Sequence, residues 1–260
     1  MMKNCNYVGI EIECISSATR SLVEEALAIN NLSDIIQIDR DGSIDYDSYI
    51  NHQNSCPGSH ENAVDVRECC IYCKASANEH PYEFKVLVEQ DDLRNILKRV
   101  DVFLSTIGAY TNDSCGLHVH LDMRNRNPIV CAKKLLNVQS IMLRSVPSER
   151  RENTYCSPVR RIYTEDVMGI GKYHAINTRD AYASKRTIEV RLHEGTVDML
   201  EVYNWCKFLI NVVDADVALN PVRTVRKLLL TDQAYLNKRI KDNDDCISNE
   251  QDYFDERTYF

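Results

Sequence analysis

No stretch of this 260-residue chain approaches the roughly 18 consecutive apolar residues that a membrane-crossing helix requires. The opening residues, Met1-Met2-Lys3-Asn4-Cys5-Asn6, lack the apolar run of a secretion signal. Both absences point to the cytoplasm. A basic excess is missing as well: 39 acidic residues outnumber 31 lysines and arginines, the net charge is −8 and the isoelectric point is near 5.4. A general nucleic-acid surface needs clustered cations to neutralise phosphates, so that class is excluded, although one locally basic anion pocket is not. No internal repeat is visible. Gly169-Ile170-Gly171-Lys172 stops short of the full phosphate-loop pattern, so a nucleotide loop is not expected there.

Hydrophobic residues at 44% and charged residues at 27% are the balance of a soluble globular protein. The expected organisation is one catalytic domain over residues 1–241, with an insertion at 45–81 and an acidic, flexible tail at 242–260. Eleven cysteines is a high, odd count. In a reducing compartment most are expected as thiols, several buried as small apolar side chains. One group stands apart in the polar segment: Cys56, His60, Cys69, Cys70 and Cys73. Cys70-x-x-Cys73 has zinc-knuckle spacing, and Cys56 with His60 would complete four ligands for a structural Zn²⁺. A second well-spaced pair is missing, so a cysteine-rich loop without metal is the competing reading.

Four runs alternate with period 2, the pattern of strands with one face on a core. In 7–14, Val8, Ile10, Ile12 and Cys14 face one way and Glu11 and Glu13 the other. In 82–88, Phe84, Val86 and Val88 oppose Glu83 and Lys85; in 116–122, the polar side holds His118, His120 and Asp122; in 187–193, it holds Glu189, Arg191 and His193. A further extended run spans 35–41. Helical spacing predicts a helix over about 18–30, capped by Ser17 with Leu22, Ala26 and Ile29 inward. Others are predicted from Asp91 or Asp92 to Thr106, from the Asn127-Pro128 start to about Arg144, and over about 199–218 and 221–240. A basic, irregular segment carries Arg150, Arg151, Arg160 and Arg161.

If the four strands share a sheet, their polar faces form a cleft of carboxylates, imidazoles and arginine. Carboxylates with few imidazoles suit Mg²⁺ or Mn²⁺, and arginine beside such ions binds phosphate or carboxylate oxygens. That combination describes phosphoryl transfer. Taken singly, Glu-x-Glu is commonly a solvated face, His-Val-His a structural pair, and Glu189-x-Arg191 a surface ion pair.

In order, Gly9-Ile10-Glu11-Ile12-Glu13, Asp39-Arg40-Asp41-Gly42-Ser43, Glu83, Gly116-Leu117-His118-Val119-His120, Lys172-Tyr173 with Asn177, and Thr187-Ile188-Glu189-Val190-Arg191 with Gly195-Thr196 resemble the amidoligase family of carboxylate–amine ligases. The resemblance implies an α+β fold: a curved antiparallel sheet with helices packed on one face, like the catalytic fold of glutamine synthetase. It implies ATP as cofactor and Glu11, Glu13, Glu83, His118 and Glu189 as metal ligands. His120 would support the metal or touch substrate, and Arg191 would hold a substrate carboxylate or phosphate. Lys185 and Arg186 would approach nucleotide phosphate, with Arg186 reaching the cleft only if the strand begins after it. Lys172 and Asn177 are expected at the cofactor, and Asp41 and Ser43 as active-site residues, Asp41 as the base for the amine. The implied partners are a small-molecule or peptide carboxylate and an amine, with no nucleic acid and no membrane; phage-encoded members would act in the host cytoplasm. The separate N-terminal domain of glutamine synthetase is absent, as is a second carboxylate near Glu83. Two rivals stand beside the ligase: a Zn²⁺ hydrolase centred on His118 and His120, and a non-catalytic protein whose cysteine segment holds zinc.

Overall fold

The computed structural model describes residues 6–39, 44, 79–159, 167–215 and 233–244. The expected insertion up to residue 78, the zinc group Cys56, His60, Cys70 and Cys73, and the residues Asp41 and Ser43 lie outside them, as does the tail beyond 244. The chain divides into two compact units, residues 1–125 with 194–206, and residues 126–193 with 207–260.

The first unit is a four-stranded antiparallel sheet with helices. Strand β1 is Tyr7–Ser16, helix α1 Arg20–Ile29, strand β2 Ile36–Asp39, strand β3 His80–Glu89, helix α2 Leu93–Thr106 and strand β4 Gly116–Asp122. The strand order is β2-β3-β1-β4. β1 is central because its alternating apolar residues have a neighbour on each side: Ile10 pairs with Val86 of β3 and Val119 of β4. Val8, Ile12 and Cys14 are fully buried, as are Phe84, Leu117, Val119 and Leu121. Each such aliphatic side chain stabilises the fold by about 1.5–3 kcal/mol relative to exposure. Phe84 meets Phe103 of α2 edge-on at 5.1 Å between ring centroids, which fixes the helix over the apolar face.

Two helix expectations need correction. In α1 the buried residues are Val23, Ala26 and Leu27, whereas Leu22 and Ile29 are 54% and 71% exposed. The helix carries two overlapping apolar stripes, and packing selects the one through Val23. Its cap residue is Thr19, which makes no side-chain cap, so Ser17 does not cap it. The C-terminal carbonyl of Asn30 instead accepts from the Arg99 guanidinium at 2.9 Å.

In the second unit, Asn127 caps helix α3 (Pro128–Asn137), its side-chain oxygen accepting from the amides of Ile129 and Val130 at 3.1 and 3.2 Å. The single helix expected to reach Arg144 is broken at buried Val138, after which α4 runs Gln139–Arg144. Short α5 (Ser148–Arg151) lies in the segment read as irregular. Strand β5 (Ile176–Asn177) pairs antiparallel with β6 (Thr187–Glu194), Asn177 opposite Glu189. Helix α6 (Met199–Asp214) begins in the first unit and ends in the second, and α7 spans Gln233–Asp244. Buried Lys134 of α3 donates to the carbonyls of Val213 and Ala215 at 2.8 and 2.6 Å, supplying donors that the end of α6 lacks. Among the described residues no helix is long and apolar enough to cross a membrane. The five described cysteines, Cys14, Cys115, Cys131, Cys156 and Cys206, are all free thiols and buried. Burial pushes the Cys14 and Cys206 thiols up, away from the thiolate.

Candidate functional site

Strand register builds the first unit's polar face residue by residue. On β1, Glu11 stands between Lys85 of β3 and His118 of β4, while Glu13 stands opposite Glu83 and Gly9 opposite His120. The side chains then converge. Glu11 lies 3.1 Å from His118 Nδ1 through Oε2 and 3.1 Å from His120 Nε2 through Oε1. Burial alone would raise the Glu11 carboxyl, but hydrogen bonds from the two imidazoles outweigh it and hold the group well below the usual carboxylate range. A Cβ at Gly9 would come within 3.2 Å of the His120 Cβ, so glycine leaves the room in which that imidazole sits.

Glu13 is deeper, 4% exposed, and accepts a 2.6 Å hydrogen bond from the backbone amide of Gly116. Its other oxygen lies 3.5 Å from His118 Nε2. Glu83 is bound at 2.9 Å by Lys85, which also reaches Asp39 at 2.7 Å. Desolvation would lower the Lys85 ammonium, yet its bonds to Asp39 and Glu83 raise it, so it stays charged. The sequence pattern put Lys85 on this face, but the link to Asp39 depends on β2 pairing with β3, which alternation alone does not reveal.

One set in this unit fits a cation directly. Glu11, Glu83 and His118 each offer a ligand atom, and these atoms lie within 4.8 Å of one another. Two carboxylates and one imidazole are a donor set for a hard divalent ion that keeps water or phosphate ligands. Asp122, of the same parity as His118 and His120, has another partner. Arg124 grips both its oxygens at 2.8–3.0 Å and lies over the Tyr7 ring.

In the second unit Glu189 is 6% exposed and accepts a 2.7 Å hydrogen bond from Asn177. Arg191 pairs with the other Glu189 oxygen, and Asn177 in turn accepts from the Arg179 amide. His193 is fully buried. Strand β6 begins after Arg186, which takes a positive φ of 50°. Lys185 and Arg186 are both exposed there, with Lys185 3.9 Å from Asp180. Lys172 stands over the Tyr173 ring, its Nζ 5.0 Å from the centroid. Arg150, read only as part of a basic segment, is 5% exposed and donates to the Arg191 carbonyl at 2.8 Å, anchoring β6 from α5.

No curated protein matches the chain. The family described as "Putative amidoligase enzyme" matches residues 6–172, which takes in Glu11, Glu13, Glu83, His118 and His120 and leaves Asn177, Glu189 and Arg191 beyond its end. With more than half of its length matched, the chain belongs to this amidoligase family, whose members are enzymes of the ligase kind.

Proposed function

We propose that the protein is an ATP-dependent carboxylate–amine ligase with a glutamine-synthetase-like catalytic fold. The observation that carries this reading is the convergence of Glu11, Glu83 and His118 on one polar strand face inside the span that matches the amidoligase family. ATP would phosphorylate a substrate carboxylate, the amine would attack the resulting acyl phosphate, and an amide, ADP and phosphate would leave. Mg²⁺ or Mn²⁺ would supply neutralising charge for the phosphoryl oxygens, as in other phosphoryl transfers.

The chain's own residues divide the work. Glu11, Glu83 and His118 would hold the cation. Lys85 bridges Glu83 and Asp39 at the edge of this set. His120, drawn to Glu11, orients that carboxylate. Arg191 is the candidate for an anionic substrate oxygen, released from Glu189 when a stronger bidentate partner arrives. Asp41 is the proposed acceptor of the amine proton.

The test is ADP release by the full chain, with Mg²⁺, over pools of carboxylates and amines, followed by mass spectrometry of the products. ADP formation that requires both substrates, with an amide product lighter than the two by one water, is expected. A stable phosphorylated carboxylate in place of an amide would indicate a kinase. Hydrolysis without ATP would indicate the zinc hydrolase and overturn the ligase.

A further inference from the structure

Taking Glu11, Glu83 and His118 as the cation ligands proposed above, we infer that Glu13 is a positioning residue: it fixes His118 with Nδ1 toward the cation, and is itself held by the Cys115–Gly116 peptide, against which Gly195 packs. This differs from the role of direct metal ligand that the Glu-x-Glu pattern suggests. The ring geometry sets the assignment. His118 Nδ1 lies beside Glu11 Oε2 at 3.1 Å, and its Nε2 lies beside Glu13 Oε1 at 3.5 Å. An imidazole that ligates through Nδ1 must carry its proton on Nε2, the nitrogen that has the Glu13 carboxylate 3.5 Å away. Such a carboxylate behind a ligating histidine fixes the tautomer and raises the basicity of the ligand.

Glu13 is in turn aimed from behind. Its Oε2 accepts the Gly116 amide at 2.6 Å in a fully enclosed setting. That peptide begins β4, two residues before His118, and it cannot drift. The Cys115 carbonyl accepts from the Gly195 amide at 2.9 Å, and Cys115 is completely buried. A Cβ on residue 195 would stand 2.4 Å from the Cys115 Cβ, 2.9 Å from its carbonyl carbon and 3.0 Å from its oxygen. No flexible side-chain end is available to move aside. Gly195 is therefore required by the approach of two backbones, and that approach places the donor that aims Glu13.

Mn²⁺ binding to the full chain, followed by electron paramagnetic resonance, tests this without turnover. Glu11→Ala should weaken binding by about 100-fold or more; if it does not, the metal reading itself fails, whatever Glu13 does. Given that loss, Glu13→Ala should weaken Mn²⁺ by about 10–100-fold, the usual cost of losing a carboxylate behind a ligating histidine. Glu13→Gln should recover most of it, because an amide oxygen still accepts from Nε2–H. A Gln variant as weak as the Ala variant would mean that the Glu13 charge ligates directly, and would overturn the proposal. In the Mg²⁺-loaded protein, ¹⁵N resonances should show His118 protonated at Nε2 in the wild type and lose that preference in Glu13→Ala. Protonation at Nδ1 would overturn it. Gly195→Ala should weaken Mn²⁺ less than Glu13→Ala and add nothing to it in the double variant. Additive losses would remove Gly195 from the chain of contacts. Should Gly195→Ala fail to fold, the split between Gln and Ala at position 13 still decides the role of Glu13.

Discussion

The two units both carry buried acidic side chains on a strand's polar face, and they treat that charge in opposite ways. In the first, Glu11, Glu13 and Glu83 crowd together with two imidazoles and one lysine, and Lys85 is divided between Glu83 and Asp39. In the second, Glu189 has an arginine on one oxygen and an asparagine amide on the other. A carboxylate–imidazole cluster of this kind supplies the donors that a hard divalent ion takes. For Glu189, already bridged by Arg191, the reading proposed above is a latch, whose arginine would exchange one anionic partner for another. Composition alone does not separate the two. The difference lies in which opposite charge the strand register delivers.

The widest separation between the units is expected from exchanging their key residues one at a time. Glu11→Ala should weaken Mn²⁺ on the order of 100-fold or more, beyond the range for a supporting residue. Arg191→Met should leave Mn²⁺ within about twofold while kcat/KM for the anionic substrate falls about 10–100-fold, the loss of a charge-assisted hydrogen bond. Binding titrations beside steady-state kinetics check both. If Arg191→Met weakened Mn²⁺ as much as Glu11→Ala does, the division between a cation cluster and an anion latch would be lost.

A smaller change sharpens the account of the first unit. Lys85→Met removes the ammonium that competes for Glu83, so Mn²⁺ affinity should rise between about twofold and fivefold, the range of a partly exposed ion pair. The gain should shrink as salt is raised, because part of the Lys85 field is already screened. A titration at two ionic strengths reads it, and weaker binding in the variant would mean that Lys85 holds Glu83 in its ligating position.

The polar face was legible because strands report their parity in one dimension. Val8, Ile10, Ile12 and Cys14 are all buried, and the opposite parity holds Glu11 and Glu13. The same logic places His118 and His120 together. Strand neighbours are another matter. That Glu11 meets His118, and Glu13 meets Glu83, is a property of register, which no single strand carries. Helix α1 shows the same limit: periodicity finds apolar stripes, and packing decides between Leu22 and Val23. The break at Val138 has no proline or glycine to announce it. The role of Gly195 is written as one missing Cβ, and its reason lies 80 residues away at Cys115.

The smallest expected effect comes from Asp122, a carboxylate of the first unit that resembles Glu189 of the second. It shares the parity of His118 and His120, yet Arg124 and two backbone amides already meet it. Burial raises its carboxyl, but the Arg124 side chain and the amides of Arg124 and Tyr7 outweigh that and leave it below the ordinary value. A carboxylate lowered in the folded state contributes stability that is present above its unfolded value, about 3.9, and is lost as pH falls through the folded one. Asp122→Asn should therefore lower the melting temperature on the order of 2 °C at pH 7, with the difference closing below about pH 4. Mn²⁺ affinity should stay within about twofold, since the charge removed was already matched by Arg124. Melting curves from pH 3 to 7, with one metal titration, separate the outcomes. A loss of Mn²⁺ comparable with that of Glu11→Ala would show that position on the face, and not the partner a carboxylate already has, decides which carboxylates hold metal.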